Sequence, residues 1–530
     1  MTDARDARSE MRGARSENLP LAPRRVPSGW LPAPTRWGVY LVLIAVAVGN
    51  MTGRLLAVNS VDKAQLETTR IREALDRQRA RLTEEGLSPQ QIEARAAADE
   101  ARIRAALRLQ RPFLSANDRS RWLTIRSLVE RGTYEIDPLV AEPTWDTIDM
   151  VQHRGHDGQL HLYSSKPPLL ATILAGEYWL IHRLTGATLG DHPYEIGRFM
   201  LFTINILPLV LMFLLVARLV ERFGTTDWGP IFVMAAATLG TFLNTFAVVL
   251  NNHIIAAVSA AVAVYALVRI SYDGERRLRY FFIAGLAAAF TAANELPALA
   301  LLAFVGLLLL WRAPRATLVA FVPAVAIVAA AFFGTNWLAH ASLRPPYMHR
   351  SETDPDDNWY RYTYTAGGQE RPSYWLDPKG IDRGEPSKAN YVFHTLVGHH
   401  GIFSLTPVWL LSAAGMVIWL LSGDWPRREL AALVAALSII CLVFYLGMRP
   451  QQDRNYGGMT SGFRWMFWFA PLWILVMVPA ADRLARSRAG MAFAALLLTV
   501  SVLSASYPTW NPWTQPWLYN WLVWSGWPGF

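Results

Sequence analysis

Long apolar runs without a single charge constrain this chain more than any other feature. Ile231–Leu250 and Ala316–Leu338 contain no Asp, Glu, Lys or Arg. A helix needs about 20 apolar residues to cover a hydrocarbon core of ~30 Å. No backbone N–H or C=O can stay unpaired in that core, so each such run must be helical. The unit recurs at about 37–57, 198–218, 229–249, 253–270, 280–294, 296–311, 316–338, 403–421, 430–448, 463–481 and 490–506. The expected fold is therefore all-α, a polytopic membrane helical bundle of about 11–12 transmembrane helices with large extracytoplasmic loops. A soluble enzyme, a single-anchor protein and an outer-membrane barrel of ~10-residue alternating strands are all excluded.

The chain of 530 residues is 52% hydrophobic and 17% charged, and its net charge is +9. A soluble protein with that excess would suggest nucleic acid. Here the arginines sit between apolar runs, at Arg218–Arg222, Arg269–Arg279, Arg312–Arg315, Arg427 with Arg428, and Arg483–Arg488. Such short basic connections set topology by staying in the cytoplasm. With the polar, Arg-rich 1–36 segment on the same side, the spans from 198 onward alternate without conflict. The first span, 37–57, then reads as an uncleaved anchor. Residues 58–197, 250–252, 339–402, 449–462 and the tail 507–530 fall outside, separated by membrane blocks at 198–338 and 403–506. Pro167–Leu184 is apolar but carries Glu177, His182 and Arg183, so it is expected to lie on or half within the outer surface. A lone Cys441 leaves no intrachain disulfide to form.

Three outer regions are large. In the first, Ser88-Pro89-Gln90-Gln91 supplies a cap, a first-turn proline and a reciprocal Gln. It predicts a helix to about Leu109, after an earlier one that starts near Asp62 and ends at Glu85-Gly86. The pair makes a charged hairpin over 61–111, read as a spacer or lid. The second, 339–402, is rich in Tyr, Trp, Pro, Asp and His. His394, His399 and His400, with Asp354, Asp356 and Asp357, offer donors for a divalent cation, although their spacing matches no tight metal template. In the tail, Trp510, Trp513, Trp517, Trp521, Trp524 and Trp527 recur, as expected of an interfacial anchor; sugar stacking is the second reading.

The densest polar constellation is Asn117-Asp118-Arg119-Ser120-Arg121-Trp122, followed by Glu130-Arg131-Gly132-Thr133-Tyr134. Taken alone, Asp118 reads as a helix cap. Downstream, Tyr163-Ser164-Ser165-Lys166-Pro167-Pro168-Leu169-Leu170 sets a cation at the mouth of an apolar helix. A lysine there either snorkels or meets a phosphate as a point charge. Late in the chain, Asn455-Tyr456-Gly457-Gly458-Met459-Thr460-Ser461-Gly462-Phe463-Arg464-Trp465 precedes Ala470-Pro471-Leu472. Its glycines would let backbone approach a ligand. Arg464 stands at the outer end of a span, where a cation needs water or an anion.

These three segments together resemble the GT-C integral-membrane glycosyltransferases, closest to the protein O-mannosyltransferase and aminoarabinose-transferase branch. The resemblance implies a sugar donor carried on polyprenyl phosphate, an extracytoplasmic acceptor (protein, lipid or polysaccharide), and a multi-pass enzyme of a bacterial inner membrane with its site facing outward. It implies Asp118 as the catalytic acidic residue and Lys166 as a donor-phosphate ligand, joined by Arg119, Arg121 and Arg464. Tyr163, His253, Glu295, Tyr456, His399 and His400 are further cavity candidates. The family's Asp-Glu pair reads Asp118-Arg119 here, and the hairpin at 61–111 is an insertion. A transporter or lipid flippase would also explain the spans, but it predicts paired repeats and broken helices in two halves, and none is visible in the sequence. No P-loop or dinucleotide fingerprint is present.

Overall fold

The computed structural model describes residues 31–58, 63–107, 112–142, 144–366, 369–422, 425–509 and 511–526. Most of the Arg-rich tail, the ends of the predicted hairpin region, Trp510 and Trp527 lie outside them. Among the described residues, eight helices are long and apolar enough to cross a membrane: α1 (Ala33–Ala57), α6 (Pro193–Phe223), α7 (Trp228–Phe246), α8 (Asn252–Ser271), α11 (Pro314–His340), α14 (Trp425–Met448), α15 (Arg464–Leu484) and α16 (Arg488–Ser506). Three shorter apolar helices, α9 (Leu278–Asn294), α10 (Leu296–Arg312) and α13 (Trp409–Leu421), account for the remaining predicted spans.

The long loops add α2 (Lys63–Glu84), α3 (Pro89–Leu107), α4 (Ala116–Glu130), α5 (Pro168–Thr185), α12 (Lys388–Leu396) and, after α16, α17 (Trp517–Trp524). Helix α5 covers the segment expected at the surface, and it is not among the helices that qualify as spans. Helices α2 and α3 form the predicted hairpin. Gly86 turns at φ +78°, the Ser88 N–H and hydroxyl both donate to Gln91 Oε1, and Gln78 and Arg79 reach across to Asp99 and Glu93.

The chain is not purely helical. Strands β1 (Met150–Arg154) and β2 (Leu160–Ser164) form an antiparallel hairpin in which Met150 faces Ser164. Strands β3 (Thr363–Ala366) and β4 (Gln369–Pro372) form a second in the later loop. A helix-only expectation overlooked the Asp157-Gly158 turn, a strong hairpin signal between extended segments.

Buried side chains from the membrane helices make one main core, in which α8 packs on α9 and α13 on α15. At one end of the bundle, ionic contacts tie the Arg-rich connections together. Arg36 pairs with Glu221 at 2.7 Å and Asp227 at 3.3 Å, Arg222 with Asp273 at 3.0 Å, and Arg312 with Glu429. The Asp482 carboxylate accepts from the backbone and hydroxyls of Thr225 and Thr226. These contacts draw the basic connections together at one end of the bundle, and the long loops gather over a cavity formed by the ends of the membrane helices.

Candidate functional site

The cavity measures about 640 Å³ and is walled by all three motif segments. One wall is local hairpin geometry. Because Met150 faces Ser164 in the β1–β2 register, Asp149 and Ser165 meet just beyond the strands, and Lys166 follows at the mouth of α5. Lys166 Nζ lies 2.6 Å from Asp149 Oδ2. Asn117 Nδ2 donates to the same oxygen at 2.9 Å, and the Ser165 hydroxyl donates to Oδ1. Ser120, one turn along α4, anchors the corner by donating to the Asp149 carbonyl at 2.6 Å.

The opposite wall belongs to the membrane helices. Helix α9 ends at Asn294 and α10 begins at Leu296, leaving Glu295 extended at φ −135° between them. Its Oε1 accepts from Asn252 Nδ2 at 2.8 Å and from His253 Nδ1. Arg121 crosses from α4 to join the two walls. It donates to Asn117 Oδ1 at 2.6 Å and to Asn252 Oδ1 at 2.7 Å. Arg464 completes the row: Nη1 donates to His253 Nε2 at 3.1 Å and Nε to the Gly457 carbonyl at 2.6 Å. Gly457 is required there. It turns at φ +95°, and a Cβ on it would stand 3.0 Å from Arg464 Cγ. Trp513, from the tail, lies under the Arg464 guanidinium with 4.9 Å to the ring centre.

A continuous polar row therefore runs Lys166, Asp149, Asn117, Arg121, Asn252, Glu295, His253, Arg464. Its cations are unevenly matched. Lys166 has Asp149, but neither Arg121 nor Arg464 has a carboxylate within 4 Å among the described residues. Burial pulls the Lys166 amine down to about 8; Asp149 opposes the fall, while Arg121 and Arg464 add to it. Burial pushes Asp149 up, but Lys166, the Ser165 hydrogen bond and Arg121 outweigh that and hold it below the usual carboxylate range. A second cationic pair flanks the cavity: Arg350 is 3.1 Å from Asp453 and lies over the Tyr360 ring at 3.9 Å, and Arg449 lies over Trp465 at 4.5 Å.

Of the residues predicted from sequence, Lys166, Arg121, Arg464, His253 and Glu295 line the cavity. Asp118 does not. Ser115 is the actual cap of α4, accepting from the Asp118 N–H at 3.0 Å. The Asp118 carboxylate is fully buried behind the wall and accepts from Trp122 Nε1 at 2.9 Å, Leu250 N at 3.0 Å and Leu114 N at 3.3 Å. Burial raises it to about 6. Its present task is to hold the turn before α8. Arg119 is also buried away from the cavity. Tyr163 stacks on His153 at 4.2 Å. His399 and His400 pack with Tyr456 beside the tail residue Tyr519. Asp357 is engaged by Arg344 and His349, and the Asp354 side chain caps Asp356. His394, His399 and His400 pack on one another, apart from the three aspartates, and among the described residues no group of three or more His, Cys, Asp or Glu side chains is arranged to hold a metal ion.

Asp149 and Asn252 are what sequence reasoning missed as site residues. Asp149 has no motif around it; only the hairpin register brings it to Lys166.

No family model matches the chain, and no curated protein matches it. Among solved structures, two of the Archaeoglobus fulgidus oligosaccharyltransferase match. One is its complex with zinc and sulfate, at 15% identity and a TM-score of 0.39, covering 78% of this chain and 52% of that one. The other is the same enzyme tethered to an acceptor peptide containing an NVT sequon, at 15% identity and 0.39, covering 79% and 54%. The chain spans about half the length of these structures.

Proposed function

We propose that the cavity binds the phosphate of a polyprenyl-phosphate sugar and transfers the sugar to an acceptor on the loop side of the membrane, as a glycosyltransferase of GT-C type. One observation carries the reading: among the described residues, Arg121 and Arg464 reach the cavity without a carboxylate partner, beside a lysine paired with Asp149. Cations arranged this way favour an anion with several acceptor oxygens. The bilayer delivers such an anion on a lipid, so no nucleotide fold is needed.

The chemistry follows from the same groups. The acceptor O–H or N–H gives its proton to a carboxylate as its heteroatom bonds to the anomeric carbon. The bond from that carbon to the phosphate oxygen breaks with inversion, and the electron pair leaves on the phosphate, whose charge rises by one. Arg121, Arg464 and Lys166 stabilise that charge where it develops. Asp149 is the base in this reading rather than Asp118, because Asp149 borders the cavity and Asp118 is turned into the wall. When a donor phosphate draws Lys166 away, Asp149 loses its main counter-charge and becomes more basic.

The test measures turnover with a panel of single sugars on polyprenyl phosphate. Asp149→Asn in folded protein is expected to lose about 10²–10⁴-fold, and Asp118→Asn far less. The reverse order returns the base to Asp118. Turnover with no donor, together with binding of farnesyl phosphate no tighter than of farnesol, removes the enzyme reading.

A further inference from the structure

We propose that Glu295 is a positioning residue that holds in one cavity both guanidiniums that lack a carboxylate partner among the described residues, Arg121 through Asn252 and Arg464 through His253. The inference rests on the phosphate site proposed above and adds a residue that never touches the phosphate.

The argument is one of proton direction. An ionised carboxylate only accepts hydrogen bonds. Glu295 Oε1 accepts from Asn252 Nδ2 at 2.8 Å, which fixes the amide with its oxygen turned the other way. That oxygen takes the Arg121 Nη2 proton at 2.7 Å. The Asn294 carbonyl, 2.8 Å from the same Nδ2, reinforces the orientation. The His253 Nδ1 also faces Glu295 and must donate to it, so Nε2 carries the lone pair. An arginine N–H can only donate, and Arg464 Nη1 sits 3.1 Å from Nε2. One carboxylate thereby sets the polarity of two relays. It does so without an ion pair to either arginine, so neither charge is neutralised before the anion arrives. The fold gives Glu295 this reach by breaking the helix at its position, with Pro297 just after it.

The test compares binding of farnesyl phosphate and of farnesol to the full-length protein in detergent. Glu295→Leu is expected to weaken farnesyl phosphate at least 100-fold and leave farnesol unchanged. Glu295→Gln keeps the size, but its amide can donate to His253 and drive the proton onto Nε2, against Arg464; about a 10-fold loss is expected. His253→Gln presents an acceptor near the Nε2 position and should hold most of the affinity, whereas the shorter His253→Asn should not. In an Arg464→Ala background the cost of Glu295→Leu should shrink, because part of its target is gone. Wild-type farnesyl phosphate affinity in both Glu295 variants overturns the inference, as does an equal loss of farnesol, which marks a packing role. If Lys166→Ala weakens farnesyl phosphate and the Glu295 variants do not, the phosphate site stands and the positioning role falls. If wild-type protein prefers farnesyl phosphate in no way, both fall.

Discussion

Arg121 Nη2 donates to Asn252 Oδ1 at 2.7 Å, joining a helix of the first long loop to the first residue of membrane helix α8. On the loop side of that bond stand Asn117, Asp149 and Lys166; on the bundle side stand Glu295, His253 and Arg464. The two halves come from segments far apart in the chain, and each half holds one guanidinium without a carboxylate partner. The loop and the bundle therefore share the charge of one site.

Cutting that bond should weaken anion binding. A hydrogen bond to a charged group is worth about 1.5–3 kcal/mol, so Asn252→Leu is expected to cost farnesyl phosphate roughly 10- to 150-fold in calorimetric titration. Asn252→Asp should also bind weakly, since the new carboxylate occupies Arg121 in the phosphate's place. Full affinity in both variants would show the bond to be inert.

The lysine gives the binding a pH limit. With the free amine held down to about 8, Lys166 loses its proton as the pH rises through that value. Farnesyl phosphate affinity should then fall between about pH 7 and 9. In Lys166→Arg the guanidinium stays charged, and the profile should be flat over the same window. An identical decline in both proteins would assign it to another group.

Asp118 should act on stability. Its folded pKa is raised from 3.8 to about 6 by burial, so the folded state favours the protonated form. The group's stabilising effect is full below 3.8 and is lost as the pH rises through 6. At 1.36 kcal/mol per unit the loss approaches about 3 kcal/mol. Thermal midpoints of wild type minus Asp118→Asn, followed from pH 4 to 7, should therefore decline. A constant difference would mean that Asp118 carries no such penalty.

The gathering of basic connections at one end makes topology directly testable. A reporter active only outside the cytoplasm should work when fused after Asn252, Gly380 or Gln452 and be silent after Gly274 or Arg486, because short Arg-rich loops stay inside. Activity after Gly274 inverts the bundle.

The membrane helices were legible because lipid leaves the backbone one solution and composition marks it. Lys166, Arg121 and Arg464 were legible because a cation at a span's mouth stands out against apolar neighbours. Glu295 and His253 were visible as polar residues at span ends, but their partners were not. Asp118 stood out because its acidic type and place near a helix start suit a base and a wall support equally well, and its burial behind the wall is what the sequence did not display. Asp149 stayed hidden because its role depends on strand register. The pairing of Met150 with Ser164 is a two-dimensional fact that no run of residues around Asp149 displays.

The tail has a consequence for the order of assembly. Asn511 donates to the Leu114 carbonyl at 3.4 Å, the Pro512 carbonyl accepts from Ser461 N at 3.0 Å, and Trp513 lies beneath Arg464. All three follow α16, so this wall is laid down only after that helix has been made. A chain still being inserted can hold every cation of the row and yet lack the surface against which Arg464 rests. The cavity is thus completed by residues made after α16. A cut between Ser506 and Asn511 would leave the whole bundle in the membrane with its site open.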